Sequence, residues 1–210
     1  MATPTPNSSE RLLTPENCTF TLIDHQPRMA LGVNSIDDET LRSNVAGLAK
    51  AAKAFDVPIV LSTISEVYDG PLFDEILDVF PEYDYIDRTT MNAWENEDYV
   101  GAIEDTGRDK LVMAGLWTEV CVTYPALSAI EDGYEIYVVT DASGGVSEAA
   151  HDRAIQRMTA AGASPVTWLQ VLYELQRDWT NDGADETSQI TQEHGGRYAT
   201  AANYSDFLQE

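Results

Sequence analysis

Cys121 stands six residues beyond Gly115, where the apolar run LVMAG comes to a stop. The loop LWTEV lies between the two, and a helical pattern follows. Free backbone N–H groups and the dipole at such a helix start favour a thiolate. Asp24 closes a second apolar run, TFTLI, with His25 and Gln26 directly after it. Arg88 follows a third short run, DYID. A thiol so placed can be a nucleophile, a carboxylate at a strand end can be an acid or base, and a nearby cation would further favour the thiolate. Taken one at a time, each has a plainer reading. Cys121 sits between Val120 and Val122 like core filler, Asp24 suits a turn or cap, and Arg88 suits a surface.

Those three residues share chemistry only if the chain brings the ends of their runs together. Short apolar runs alternate with helical periodicity. Strands are expected over 19–24, 58–64, 84–87, 110–115, 135–141 and 164–170. Helices are expected over 37–56, 71–80, 96–107, 119–133, 147–162 and 171–179. Leu41, Val45, Leu48, Ala52 and Phe55 make one stripe of the first. Strand-then-helix repetition implies a three-layer, doubly wound α/β domain, with a mainly parallel six-stranded sheet covered by helices on both faces. Ligands of such sheets bind at the carboxyl ends of the strands. That edge gathers Asp24, His25, Gln26, Ser62, Thr63, Ser65, Glu66, Arg88, Cys121, Asp141 and Ser143. Lys110 lies at the amino end of its strand, away from it.

Composition narrows the function. The chain has 210 residues, which suits one domain, read here as 17–182. An arm of 1–16, floppy or loosely docked, precedes it. A polar tail of 183–210 follows and carries Tyr198, Tyr204, Phe207 and Leu208. Asp and Glu number 36 against 12 Lys and Arg, a formal charge of -24. Too few cations remain for a nucleic-acid face. No apolar run reaches the ~18 residues of a membrane span. Acid spread along the whole chain fits a high-salt cytoplasm, with an ordinary acidic surface as the alternative. Cys18 and Cys121 are the two cysteines. They belong at opposite sheet edges, so two free thiols and a reducing cytoplasmic compartment are expected.

The segments TLIDHQ, DRTTMNAWENEDYV, AGLWTEVCVTYPALSAIEDGYEIYVVTDASGG and WLQVLYELQRDW resemble the isochorismatase-like cysteine hydrolases, in particular their YcaC-related branch. The resemblance spans about residues 12–182. It implies an Asp–Lys–Cys triad, with Asp24 as the aspartate and Cys121 as the nucleophile. The lysine position falls at Arg88, a departure, because arginine stays protonated and cannot give up a proton. The resemblance also implies a non-proline cis peptide at Leu116–Trp117. It implies an oxyanion hole made by the Trp117 and Cys121 N–H groups. His25 and Gln26 are candidates for supporting roles behind the triad. The nicotinamidases of the superfamily bind a metal through an Asp and His cluster. His25, His151 and His194 form no such pattern, so no metal and no cofactor are expected. The implied activity is hydrolysis of a C–N bond in a small amide or related molecule through a thioester. The alternatives are vinyl-ether hydrolysis of isochorismate type, or a non-catalytic binding or assembly protein. The branch forms closed rings. A homo-oligomer is therefore expected, with an octamer as one form, the tail packing on a neighbouring subunit.

Overall fold

The computed structural model describes residues 10–207, without the side chains of 202, 203 and 205–207. The chain runs β1 (Cys18–Ile23), α1 (Pro27–Ala30), α2 (Asp38–Ala54), β2 (Ile59–Ile64), α3 (Glu66–Asp69), α4 (Asp74–Leu77) and β3 (Ile86–Arg88). It continues through α5 (Glu97–Glu104), β4 (Lys110–Gly115), a π-helical turn (Thr118–Val122), α6 (Thr123–Glu131), β5 (Glu135–Val139), α7 (Glu148–Ala161), β6 (Ser164–Val166) and α8 (Trp168–Gln176). Two C-terminal helices follow, α9 (Ala184–His194) and α10 (Arg197–Phe207).

All six strands are parallel, in the order β3-β2-β1-β4-β5-β6. β1 and β4 lie at the centre and are buried at every position. Such runs are mostly apolar because helices cover both faces, with Thr19, Thr21 and Lys110 as the buried polar exceptions. α2 packs with α8 and α9, and α6 with α7. The strand order reverses between β1 and β4, where a crevice opens at the carboxyl edge. Asp24 and Leu116 leave the two central strands there side by side, with Ile23 level with Gly115. A Cβ on Gly115 would lie 2.5 Å from the Ile23 carbonyl oxygen, so only glycine lets the strands approach this closely.

Side-chain caps set several boundaries. Asp37 caps α2 and Ser147 caps α7 through their side chains. Thr167 caps α8 at Trp168, so WLQ belongs to that helix and β6 is only three residues long. β5 stops at Val139 because Thr140–Ala142 turn into a short 3₁₀ segment. The helix expected over 119–133 opens instead as the π-helical turn. Pro125 explains this, having no N–H to return to the Cys121 carbonyl of a regular α-helix.

Two expectations about the ends of the chain change. Residues 10–16 are fastened, not floppy. Leu13 is fully buried. Lys110 donates to the Glu10 and Leu12 carbonyls, Arg108 to Pro15, Arg177 to Leu13, and the Tyr137 hydroxyl to Arg11. Residues 1–9 lie outside the described residues. In the tail, α9 packs against α2 and α8 of its own chain and buries Thr187, Ile190 and Thr191. α10 leaves Tyr198 and Tyr204 exposed. The Phe207 and Leu208 side chains lie outside the described residues.

Candidate active site

The carboxyl edge brings Asp24, Arg88 and Cys121 together from β1, β3 and the π-helical turn. Asp24 adopts φ 57°, a left-handed backbone that aspartate tolerates. Its N–H donates to Ser62 O at 2.9 Å, and Gln26 N–H donates back to Asp24 O at 2.8 Å. The strand thus ends in a sharp turn that aims the carboxylate into the crevice. Arg88 pairs in register with Ile64, and its Nη2 donates to Asp24 Oδ2 at 2.6 Å. Both side chains of this ion pair are wholly buried. The Thr90 carbonyl takes the Arg88 Nη1. Behind the arginine, the buried Tyr99 and Thr21 hydroxyls bond each other at 2.7 Å.

Electrostatics here are set by burial. Loss of water pushes the Asp24 carboxyl up to about 6, although Arg88 and the Cys121 thiol both pull it down. Burial first, and then Asp24, push the Cys121 thiol up to about 12. Arg88 and the Trp117 N–H act in the opposite direction. The expected thiolate is thus corrected. The dipole of a helix start is a small effect beside loss of solvent, and the resting sulfur keeps its proton. Asp24 Oδ1 is buried and has no partner with hydrogen-bond geometry among the described residues. It is the acceptor left open on the carboxylate, with the thiol beside it.

The peptide bond Leu116–Trp117 is cis. The Trp117 backbone lies close enough to the Cys121 sulfur to lower its pKa. The Cys121 N–H instead donates to the Trp117 carbonyl at 2.9 Å, so this half of the expected oxyanion hole is already engaged. The Trp117 indole N–H donates to Met29 O at 2.9 Å. Its ring lies so close to Gly32 that a Cβ there would come within 2.6 Å. Thr118 and Glu119 tie the turn to the loop after β5, through Gly144 O at 2.9 Å and Val146 N–H at 3.1 Å.

The supporting residues separate by role. Gln26 spans the β1 and β2 ends, accepting from Ile64 N–H at 2.8 Å and donating to Gly70 O at 2.6 Å. His25 Nε2 lies 2.9 Å from Ala142 O, joining the β1 end to the loop after β5. Complete burial lowers its pKa to about 4, so it is neutral. Asp141 caps α8 through the Trp168 N–H, and Ser143 bridges β4 and β5. Thr63 meets Asp87, and Glu66 accepts from Tyr85. The Ser62 hydroxyl is buried with no hydrogen-bond partner among the described residues, and Ser65 turns the chain at φ 47°. His151 meets Thr118, and His194 meets Ser43 and Lys50. Among the described residues, no group of three or more His, Cys, Asp or Glu is arranged to hold a metal ion.

A cavity of about 360 Å³ opens over the sulfur, lined by Met29, Ile64, Met91, Trp117, Val120 and Cys121, with Arg28 and Asp69 at its wall. Sequence reasoning passed over Met29, Arg28 and Asp69. One signal was present, since Pro27 two residues after His25 starts a helix that must cover the β1 end.

A doubly wound, six-stranded parallel sheet with a carboxylate, a cation and a thiol at its switch point is the isochorismatase-like hydrolase fold. A family model described as "Isochorismatase domain" matches residues 18–170, and the chain belongs to the isochorismatase family, in its YcaC-related branch, as a hydrolase. It is 45% identical over 163 residues to the probable hydrolase YcaC of Escherichia coli, covering 77% of this chain and 78% of that protein. The structure of YcaC from Pseudomonas aeruginosa, with hexane-2,5-diol and covalent acrylamide, matches with a TM-score of 0.90 and 38% identity, over 95% of this chain and 100% of the other. The Escherichia coli YcaC structure, an octameric hydrolase of unknown specificity, matches with a TM-score of 0.90 and 40% identity, over 96% and 100%.

Proposed function

We propose that this chain hydrolyses a C–N bond of a small amide through a thioester on Cys121. The open, buried Oδ1 of Asp24 beside a protonated thiol carries this reading. Asp24 takes the thiol proton as sulfur attacks the carbonyl carbon. The Trp117 N–H, close to the sulfur, then follows the negative charge onto the carbonyl oxygen. Asp24 then returns the proton to the leaving nitrogen, the C–N bond breaks, and the thioester remains. Water enters, gives a proton to Asp24 and attacks the thioester; the acid departs and sulfur regains its proton. Arg88 holds Asp24 in place and balances the charge that forms on the pair. The cycle uses no cofactor. Arginine serves this scheme where lysine is usual, because no step takes a proton from it.

The relative from Escherichia coli is described as octameric, and we propose a homo-oligomer for this chain, with α10 at the contact. A panel of small amides, ureides and hydrazides, read for ammonia or amine release in high salt, tests the reaction. Intact-mass spectrometry should show an acyl adduct on the wild type that Cys121→Ala lacks. Full activity in that variant overturns the scheme.

A further inference from the structure

Arg28 is the one cation lining the cavity over Cys121 among the described residues, and it is not free. Its Nη1 donates to Asp69 Oδ1 at 3.1 Å. The two partners differ in freedom. Arg28 is 64% exposed at its side chain, Asp69 only 16%. Asp69 closes α3, where its N–H returns to Ser65 O, so the carboxylate is held while the arginine comes to it. Asp69 also lies near enough to Asp24 to raise that carboxyl's pKa. The rest of the wall is apolar: Met29, Ile64, Met91, Trp117 and Val120. Deeper in, Arg88 is bound to Asp24. A carboxylate entering this cavity finds both nearby guanidinium groups taken, with Asp69 in the wall and the Asp24 carboxylate deeper in.

We propose that Asp69 is a specificity-determining residue: by holding Arg28 it makes the cavity select small, uncharged substrates over carboxylate-bearing ones of the same size. This rests on the amidase reading for its meaning, and it narrows the substrate class to neutral amides with short apolar substituents. It also sets the site against an anionic vinyl ether of isochorismate type.

Iodoacetamide and iodoacetate differ by a neutral amide against a carboxylate at nearly equal size. Each alkylates sulfur with loss of iodide, so their rates at Cys121 report admission without turnover. Peptide mass spectrometry of the full chain gives the rate ratio, with glutathione as reference. The ratio at Cys121 should favour iodoacetamide by about fivefold beyond the glutathione ratio, the size of one exposed charge interaction. Asp69→Asn should lower that preference, because Arg28 is released to receive an anion. Arg28→Ala should raise it, because Asp69 is left uncompensated. These shifts run in opposite directions, so a general loosening of the fold cannot produce both. A wild-type ratio equal to that of glutathione overturns the proposal, as does a ratio unmoved in both variants. Failure of Cys121 to react with either reagent also overturns it, since the cavity then does not admit small molecules to sulfur. Absence of amide hydrolysis alongside a preserved ratio would instead count against the amidase reading alone.

Discussion

At the scale of single residues, two neighbours just beyond the end of β1 have pKa values shifted in opposite directions. Asp24 is held near 6, above its usual range, and must be ionised to accept the thiol proton. Activity should therefore fall as pH drops through about 6, and a kcat/KM profile would show this acid limb. Asp24→Asn should lower turnover by roughly 10²-fold or more, the usual worth of a positioned acid–base. Arg88→Lys should keep more activity than Arg88→Met, since the lysine preserves the charge that steadies Asp24. Steady-state rates on any hydrolysed amide would rank them. Stability runs the other way for Asp24. A carboxyl with a raised pKa favours the folded state when protonated, and that contribution is lost as pH rises through about 6. His25, lowered to about 4, contributes stability above its unfolded value near 6.5, lost as pH falls toward 4. The two contributions overlap and offset. His25→Gln removes one, so its stability relative to wild type should improve by roughly 3 kcal/mol between pH 7 and 4. Denaturant titrations across that range check it, and a pH-independent difference would refute the assignment.

At the scale of elements, the packing of β1 against β4 sets the site. Gly115→Ala would force a Cβ onto the Ile23 carbonyl. It should cost about 1–3 kcal/mol, as overpacked sites do, and lower activity by parting Asp24 from the turn that carries Cys121. Melting curves and rates together would show both. The alternation of apolar runs was enough to read all six strands and the parallel order class, because buried parallel strands are apolar along their length. The ends were less legible. Helices α1 and α3 are one turn each and leave no periodicity to detect. The start of α8 depended on the Thr167 side chain, and the π-helical turn on a single proline. For the site, the strand ends offered Asp24, Arg88 and Cys121 among other candidates, and the resemblance singled them out and placed the cis bond. Their protonation could not, since burial decides it and burial belongs to the assembled fold. The Arg28–Asp69 pair joins residues 41 apart, with no local pattern to announce it. In the tail, a chain ending after His194 should keep the melting temperature of the whole, whereas one ending after Asp182 should lose stability as α2 is uncovered. Light scattering of the first tests α10 as the assembly contact.

At the scale of the whole molecule, charge dominates. Repulsion within a formal charge of -24 weakens as the screening length shrinks to about 3 Å at 1 M salt. The melting temperature should climb from low salt to molar KCl, and a flat curve would count against adaptation to a high-salt cytoplasm. The few cations meanwhile have a particular use at the amino edge. Lys110, Arg108 and Arg177 each grip main-chain carbonyls of residues 10–18, joining the first residues to β4 and the end of α8. A peptide oxygen does not gain a proton in mild acid as a surface carboxylate does. The clasp is accordingly built from bonds whose acceptors stay the same in fresh water, brine or vinegar. The sheet thus has one edge indifferent to its medium and another, bearing Asp24, that answers to every change in it.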